Sequence, residues 1–261
     1  MSKASRNRDM ARARVAQMRA EEARRVRRRR ILTGAGAFVL AVAVAVGIAL
    51  AVTSGGKAGA SGGISSPSLH PGSLRSLGSI QAAPAAGPNG FEGVPIPAAS
   101  VLAGRASAAA GQPVDGIRCQ SSEQSLFHIH AHLTIFVDGS QRQVPAGIGI
   151  PGSTTQQSSQ GPVAAGGTCL YWLHTHAPDG IVHVESPVHR TFTLGDFFDE
   201  WGQPLGRAQL GPVKGRVVAI YNGKVYRGNP RDIPLNAHAQ IQLEVGRPLI
   251  AQQTITFPAG L

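Results

Sequence analysis

Sulfur-containing residues are scarce in this sequence, which has two cysteines and three methionines among its 261 residues. All three methionines precede residue 20, so the remainder of the chain lacks the thioether ligands typical of Cu(I) sites. The HExxH motif of zinc peptidases and the phosphate-binding loop of P-loop proteins are also absent. These absences leave histidine as the main candidate for metal chemistry.

Acidic residues are few as well, with 14 aspartates and glutamates against 25 lysines and arginines. Twelve of the basic residues and only three of the acidic ones fall within residues 1–30, so the positive charge belongs to an N-terminal tail. A nucleic-acid-binding domain would need a basic patch or an aromatic platform, and the sequence beyond the tail indicates neither. We therefore expect no nucleic-acid partner.

Residues 31–53 form an uncharged apolar run that directly follows the basic tail. As a helix, this run would rise about 35 Å, which is enough to cross a lipid bilayer. Basic residues flank only its N-terminal side, which predicts a cytoplasmic tail beside anionic lipid headgroups and an extracytoplasmic C-terminal part. A cleaved signal peptide and a twin-arginine export signal are the alternatives, although signal peptides usually have shorter basic and apolar regions.

Gly, Ala, Ser and Pro dominate residues 54–112, which predicts a disordered tether because such a composition buries little apolar surface. The folded domain is then expected at residues 113–261, and both cysteines, Cys119 and Cys169, lie within it. Outside the cytoplasm such a pair favours a disulfide, which would stabilise the domain by about 4 kcal/mol. Two free thiols or a copper–thiolate site are the alternatives.

Alternating apolar and polar residues predict several short strands in this domain. The segment FHIHAHLTIFV at residues 127–137 alternates over its whole length and is followed by the turn signal Asp138-Gly139. Further strands are predicted at residues 141–150, in a hairpin at residues 171–186 that turns at Ala177–Gly180, in a hairpin at residues 217–226 that turns at Asn222-Gly223, and at residues 239–245.

One helix is predicted between these strands, because Thr193 and Asp196 have the spacing of a capping box. Gly202 and Pro204 provide the signal for its end. An apolar stripe with helical spacing joins the two ends and consists of Leu194, Phe197, Phe198 and Trp201.

The order of these segments resembles the ubiquitin-like β-grasp pattern. The resemblance rests on LTIFVDG, RQVPAG, TFTLGDFFDEWG, VVAIYNGKVY and DIPLNAHAQIQLEVG, and it covers residues 131–246. It implies an α+β domain in which one helix packs on a mixed sheet, with residues 171–186 as an inserted hairpin. The combination of HIHAH with HTHAPDGIVHVE is also similar to a group of membrane-anchored, histidine-rich bacterial proteins without an assigned activity, which implies a location at the cell membrane.

Two histidine clusters carry the candidate chemistry. If the hairpin at residues 171–186 turns at Pro178-Asp179, His174 pairs with His183, and their imidazoles lie close enough to share one ion. Imidazole near neutral pH favours Zn²⁺ or Cu²⁺ over Ca²⁺ or Mg²⁺. We therefore predict one or two ions, with ligands drawn from His128, His130, His132, His174, His176, His183 and Glu185.

Three alternatives to a simple metal-binding protein remain open from the sequence. The first is a metal-free, pH-responsive or structural histidine face, and the second is a zinc-dependent hydrolase with Glu185 or Asp179 as general base. The third is a β-grasp interaction module that binds an envelope protein. His189 and His238 lie outside the clusters and are expected to be ordinary polar residues.

Overall fold

The computed structural model describes residues 74–105 and 109–261. These residues form an α+β fold that is mostly β-sheet with one α-helix, which confirms the predicted fold class at this level. Within the two described ranges, no helix combines the length and the apolar character that a membrane crossing requires. The tail and the predicted membrane span at residues 31–53 lie outside the described residues.

The secondary structure consists of many short strands around one long strand. The described residues also form 3₁₀ turns at Leu74–Leu77 and Pro230–Asp232. The α-helix is α1 (Leu194–Trp201), and the strands are β1 (Ile80–Gln81), β2 (Cys119–Gln120), β3 (Phe127–Val137), β4 (Ser140–Arg142), β5 (Ser153–Ser158), β6 (Gly161–Gly166), β7 (Leu170–Tyr171), β8 (Leu173–His174), β9 (Ile181–Ser186), β10 (Leu205–Gly206), β11 (Gln209–Leu210), β12 (Val213–Lys214), β13 (Val217–Tyr221), β14 (Lys224–Tyr226), β15 (Ala239–Val245) and β16 (Leu249–Ile250).

Strand β3 lies at the centre of the main sheet, whose strand order is β14-β13-β15-β3-β9-β8. One edge of β3 pairs in parallel with β15, and the other pairs antiparallel with β9 near its start and with β4 near its end. Because β3 has partners along both edges, most of its backbone polar groups are satisfied within the sheet. This position places its alternating side chains on the two faces of the sheet.

Backbone angles at the turns explain why two predicted hairpins form and why one predicted strand is shorter than expected. Asp138 and Gly139, like Asn222 and Gly223, all have positive φ angles, as tight hairpin turns require, so both predicted turns are confirmed. The strand predicted at residues 141–150, however, extends only over Ser140–Arg142. Beyond it, Pro145 cannot donate to a strand ladder and two glycines adopt positive φ, so residues 143–150 leave the sheet.

Helix α1 begins and ends where the sequence predicts. The Thr193 hydroxyl accepts from the amide of Asp196, whose carboxylate accepts from the amide of Thr193 at 2.8 Å, completing the capping box. Gly202 ends the helix with a left-handed φ of 69°. The apolar stripe of α1 is fully buried and belongs to the same core as Leu133, Ile135 and Val137 of β3.

The opposite face of the sheet, which carries the histidines, is also buried except at His128. It is covered by residues 80–97, here called the N-terminal covering segment, and by residues 247–261, the C-terminal covering segment. The two segments are joined by pairing of β1 with β16 and by a hydrogen bond from the Gln253 side chain to the Pro84 carbonyl. Part of the expected tether at 54–112 is therefore ordered on the domain, and Val94 is completely buried.

Polar side chains of β15 hold the C-terminal covering segment on this polar face through hydrogen bonds. Gln242 and Glu244 are almost completely buried, and both accept backbone N–H groups of the C-terminal covering segment. Gln242 also donates to the carbonyl of Ile250. Because buried backbone groups need hydrogen-bond partners, these side chains substitute for a neighbouring strand.

The predicted disulfide is confirmed. Cys119 and Cys169 are bonded, with their Cα atoms 5.4 Å apart, and no free cysteine is present in the described ranges. The bond links β2, which precedes the loop before β3, to the residue before β7 at the start of the inserted hairpin, and β2 pairs with β7. It therefore ties the chain ahead of β3 to the hairpin that carries the second histidine cluster.

Candidate metal centre

The strand register brings the two histidine clusters together. Strands β3 and β9 pair so that His130 lies opposite His183 and His128 lies opposite Glu185. Strand β8 lies on the other side of β9, where His174 pairs with His183, as the sequence predicts. Directly opposed residues project to the same face of a sheet, so three adjacent strands supply one group of donors.

Four donor atoms form a compact group at the start of β3. The Nε2 atom of His128 lies 3.1 Å from both the Nε2 of His130 and the Oε1 of Glu185. The Nδ1 atom of His183 lies 3.0 Å from His130 Nε2 and 3.4 Å from Glu185 Oε1. Donors 2.0–2.1 Å from a tetrahedral ion are about 3.3 Å apart, so these four spacings are close to those around one tetrahedral ion such as Zn²⁺, and all four donors lie within 4.8 Å of one another.

His174 is held with a free nitrogen beside this group. Its Nδ1 lies 2.8 Å from the carbonyl oxygen of Tyr171, which can only accept, so Nδ1 carries the proton. The Nε2 atom then has a lone pair, is buried, has no hydrogen-bond partner and lies 3.8 Å from Glu185 Oε1. A buried lone pair without a partner is costly, and a metal ion would satisfy it.

Two further groups extend the cluster towards solvent. His174, His176 and His183 offer donors within 4.8 Å of one another, and so do Glu123, His174 and Glu185. His176 Nε2 lies 3.5 Å from Glu123 Oε1, and both side chains are partly exposed. The structure therefore brings together every predicted ligand except His132.

Burial keeps two of these imidazoles, His130 and His174, neutral. Burial, together with the nearby imidazoles of His183 and His128, lowers the pKa of His130 to about 3. Burial also lowers the pKa of His174 to about 3, together with the charge on His183. Neutral imidazoles are the form that binds metal ions, so these two side chains need not lose a proton first.

His183 and Glu185 behave in the opposite way because they form a buried ion pair. Burial alone would lower the pKa of His183, but hydrogen bonds with Glu185 and Glu92 raise it to about 9. Burial opposes ionisation of Glu185, yet its contacts with His128 and His183 hold its pKa well below the usual value. Without a metal ion, the proton on His183 thus supplies positive charge at the centre of the group.

His132 lies on the same face of β3 but is not part of the cluster. Its neighbour on β9 is the apolar Ile181, and its Nε2 donates to the carbonyl of Asp179 at 3.0 Å. Burial lowers its pKa to about 4. His132 therefore fastens the turn of the inserted hairpin, and together with Asp179 it lines a cavity of about 320 Å³ under the covering segments.

Two carboxylates at the centre are absent from the sequence-based set. Glu92, in the N-terminal covering segment, has its Oε1 2.6 Å from His183 Nε2, across a separation of 91 residues. It also lies beside Asp179, and burial and the charge of Glu92 together raise the pKa of Asp179 to about 8. Glu123 lies in the loop before β3. Neither carboxylate follows a motif or a periodic pattern, so no local signal could have identified it.

The two remaining described histidines, His189 and His238, pack against aromatic rings outside the centre. The His189 ring lies 4.8 Å from that of Phe127, and the His238 ring stacks on Phe257 at 4.5 Å.

Comparison of the chain with protein-family models, with curated proteins and with solved structures finds no match. The candidate centre is therefore assigned from its geometry alone.

Proposed function

We propose that this domain binds a divalent transition-metal ion, Zn²⁺ or Cu²⁺, through the histidines of β3, β8 and β9. The observation that carries the proposal is the group formed by His128, His130, His183 and Glu185, whose closest donor spacings of 3.0–3.4 Å suit a tetrahedral ion. The unpartnered Nε2 of His174 beside this group supports it independently.

The protein donors favour holding a metal over using it for hydrolysis. Four side chains fill a tetrahedral shell, whereas catalytic zinc sites usually have three protein ligands and an open position for water. Glu92 contacts His183 on the nitrogen that faces away from the group, which is the usual way in which a carboxylate orients a metal-binding histidine.

We place this domain outside the cytoplasm, anchored by the predicted span at residues 31–53. The Cys119–Cys169 disulfide supports this location, because stable disulfides are rare in the cytoplasm. The parallel pairing of β3 with β15 and the packing of one helix on the sheet are compatible with a β-grasp relationship. Anionic lipids at the tail and an envelope protein remain the proposed partners.

Metal content of the full-length protein in detergent micelles tests the proposal. After exposure to equal Zn²⁺ and Cu²⁺ and desalting, we expect metal to be retained at one ion or more per chain, as measured by inductively coupled plasma mass spectrometry. The double variant His130→Ala with His174→Ala should lose it, whereas His189→Ala with His238→Ala should retain it. Absence of retained metal in folded wild-type protein, checked by circular dichroism, would overturn the proposal.

A further inference from the structure

We infer that the centre holds two metal ions bridged by Glu185, an inference that rests on the proposed metal binding. The inner position is formed by His128, His130 and His183. The outer position is formed by His174 and Glu123, and His176 lies beside it with its Nε2 3.5 Å from Glu123 Oε1. Glu185 lies between the two sets and contributes to both.

The donors are too widely spread for one ion. Ligand atoms at 2.0–2.1 Å from an ion are at most about 4.2 Å apart, even on opposite sides of it. Among the described residues, no group with donors within 4.8 Å of one another contains His176 or Glu123 together with His128 or His130. A single ion therefore cannot use both sets of donors in this arrangement.

Glu185 has the position and the free oxygen that a bridging ligand needs. Its Oε1 lies 3.1 Å from His128 Nε2 on the inner side and 3.8 Å from His174 Nε2 on the outer side. Its Oε2 is buried without a hydrogen-bond partner. In two-metal sites the ions are about 3.5–4 Å apart, a distance that the two oxygens of one carboxylate can span.

The two positions differ in their access to solvent. Three of the inner donors, His130, His183 and Glu185, are buried and His128 is 36% exposed, whereas Glu123 of the outer position is 55% exposed. His174 is fully buried, but its bond to the Tyr171 carbonyl leaves its Nε2 lone pair available for the outer ion. We therefore expect the outer ion to bind more weakly and to exchange faster than the inner ion.

Ion stoichiometry separates this inference from the proposed function. Titration of the metal-free full-length protein in micelles with Zn²⁺, followed by calorimetry, should show two binding events per chain. The double variant Glu123→Gln with His176→Ala should lose only the weaker event, and the matched variant Asp232→Asn with His189→Ala should retain both.

Copper provides the test of the bridge. With two Cu²⁺ ions bound, electron paramagnetic resonance should show magnetic coupling in the wild type that disappears in Glu123→Gln with His176→Ala. Binding of one ion to folded wild-type protein would overturn the two-ion inference and leave the proposed function intact. Two uncoupled ions would overturn the bridge, and no bound ion would overturn both proposals.

Discussion

The two faces of strand β3 are both buried, but they are buried by different means. On one face, Leu133 and Ile135 meet the apolar stripe of α1 in the main core. On the other face, His130, His132 and Thr134 lie beneath the covering segments, among histidines and carboxylates. Burial of the face towards α1, the helix side, requires only apolar area and a fitting shape. Burial of the face that carries the histidines, the histidine side, is costly unless polar atoms have hydrogen-bond partners.

This difference separates stability from function within one strand. Apolar burial on the helix side favours folding directly, through the area removed from water. The histidine side contributes less to folding, because the cost of burying polar groups offsets much of the gain from their hydrogen bonds. Glu200 of α1 departs from the pattern, since its carboxylate is buried on the helix side and neither oxygen has a partner.

The largest effect on stability is expected from Phe198→Ala on the helix side. Removing a completely buried phenylalanine ring should lower the free energy of unfolding by about 3–5 kcal/mol, measured by urea unfolding of the metal-free protein. The matched control Phe91→Ala removes a ring that is 46% exposed and should change it by less than about 0.5 kcal/mol. Loss of metal binding by folded Phe198→Ala would show that the two faces are not independent.

A smaller effect is expected from Glu92→Gln on the histidine side. This change weakens the contact that orients His183, so metal affinity should fall about 10–100-fold in competition with a chelator. Asp232→Asn removes the same charge from an exposed position outside the centre and should leave the affinity unchanged. Equal affinities for Glu92→Gln and wild type would mean that the N-terminal covering segment plays no part in the site.

Glu200, the buried carboxylate on the helix side, should make the stability of the protein depend on pH. Burial raises the pKa of Glu200 well above its ordinary value, and the nearby carboxylates of Asp196 and Asp115 add to this, while Arg190 opposes it. The folded protein therefore binds this proton more tightly than the unfolded chain does. The resulting stability is present below the unfolded-state pKa of about 4.5 and is lost as the pH rises through the folded-state pKa.

Glu200→Gln should remove this dependence. Relative to wild type, the variant should gain stability between pH 5 and pH 8, by about 1.4 kcal/mol for each pH unit that lies between pH 5 and the folded-state pKa. Urea unfolding of both metal-free proteins at the two pH values measures the difference. A stability difference that stays constant with pH would contradict the assignment, and Glu200→Met controls for the hydrogen bonds of the amide.

The smallest expected effect concerns the start of α1. Thr193→Ala removes the hydroxyl that caps the helix and should lower the free energy of unfolding by about 1 kcal/mol. Thr154→Ala, at an exposed position of the β5–β6 hairpin, provides the matched control and should have little effect. Similar losses in both variants would show that the capping box does not stabilise this helix. Metal binding should be unchanged in both.

Local sequence patterns were sufficient to predict several elements of the fold. The alternation in β3, the capping box of α1 and the Asn222-Gly223 turn all depend on residues close together in the chain, and all are confirmed. The pairing of His174 with His183 followed from the length of one turn. These features are predictable because their causes are local.

The remaining features depend on contacts that no local pattern records. Glu92 reaches His183 only because a segment rich in proline and glycine packs on the sheet. The same cover buries residues of β3 and β15 that alternation alone would assign to solvent. His132 shares the spacing of the metal-site histidines, and only its neighbour across the sheet distinguishes it from them.

The parallel pairing of β3 with β15 has a consequence for the order of folding. About a hundred residues separate the two strands, so the centre of the sheet cannot be completed until almost the whole domain has been synthesised. The metal-site strands β3, β8 and β9 are closer in sequence and can pair earlier, whereas the C-terminal covering segment comes last. We therefore expect an interval during biosynthesis in which the donors are assembled but the C-terminal covering segment is not yet in place, and in which a metal ion can enter most readily.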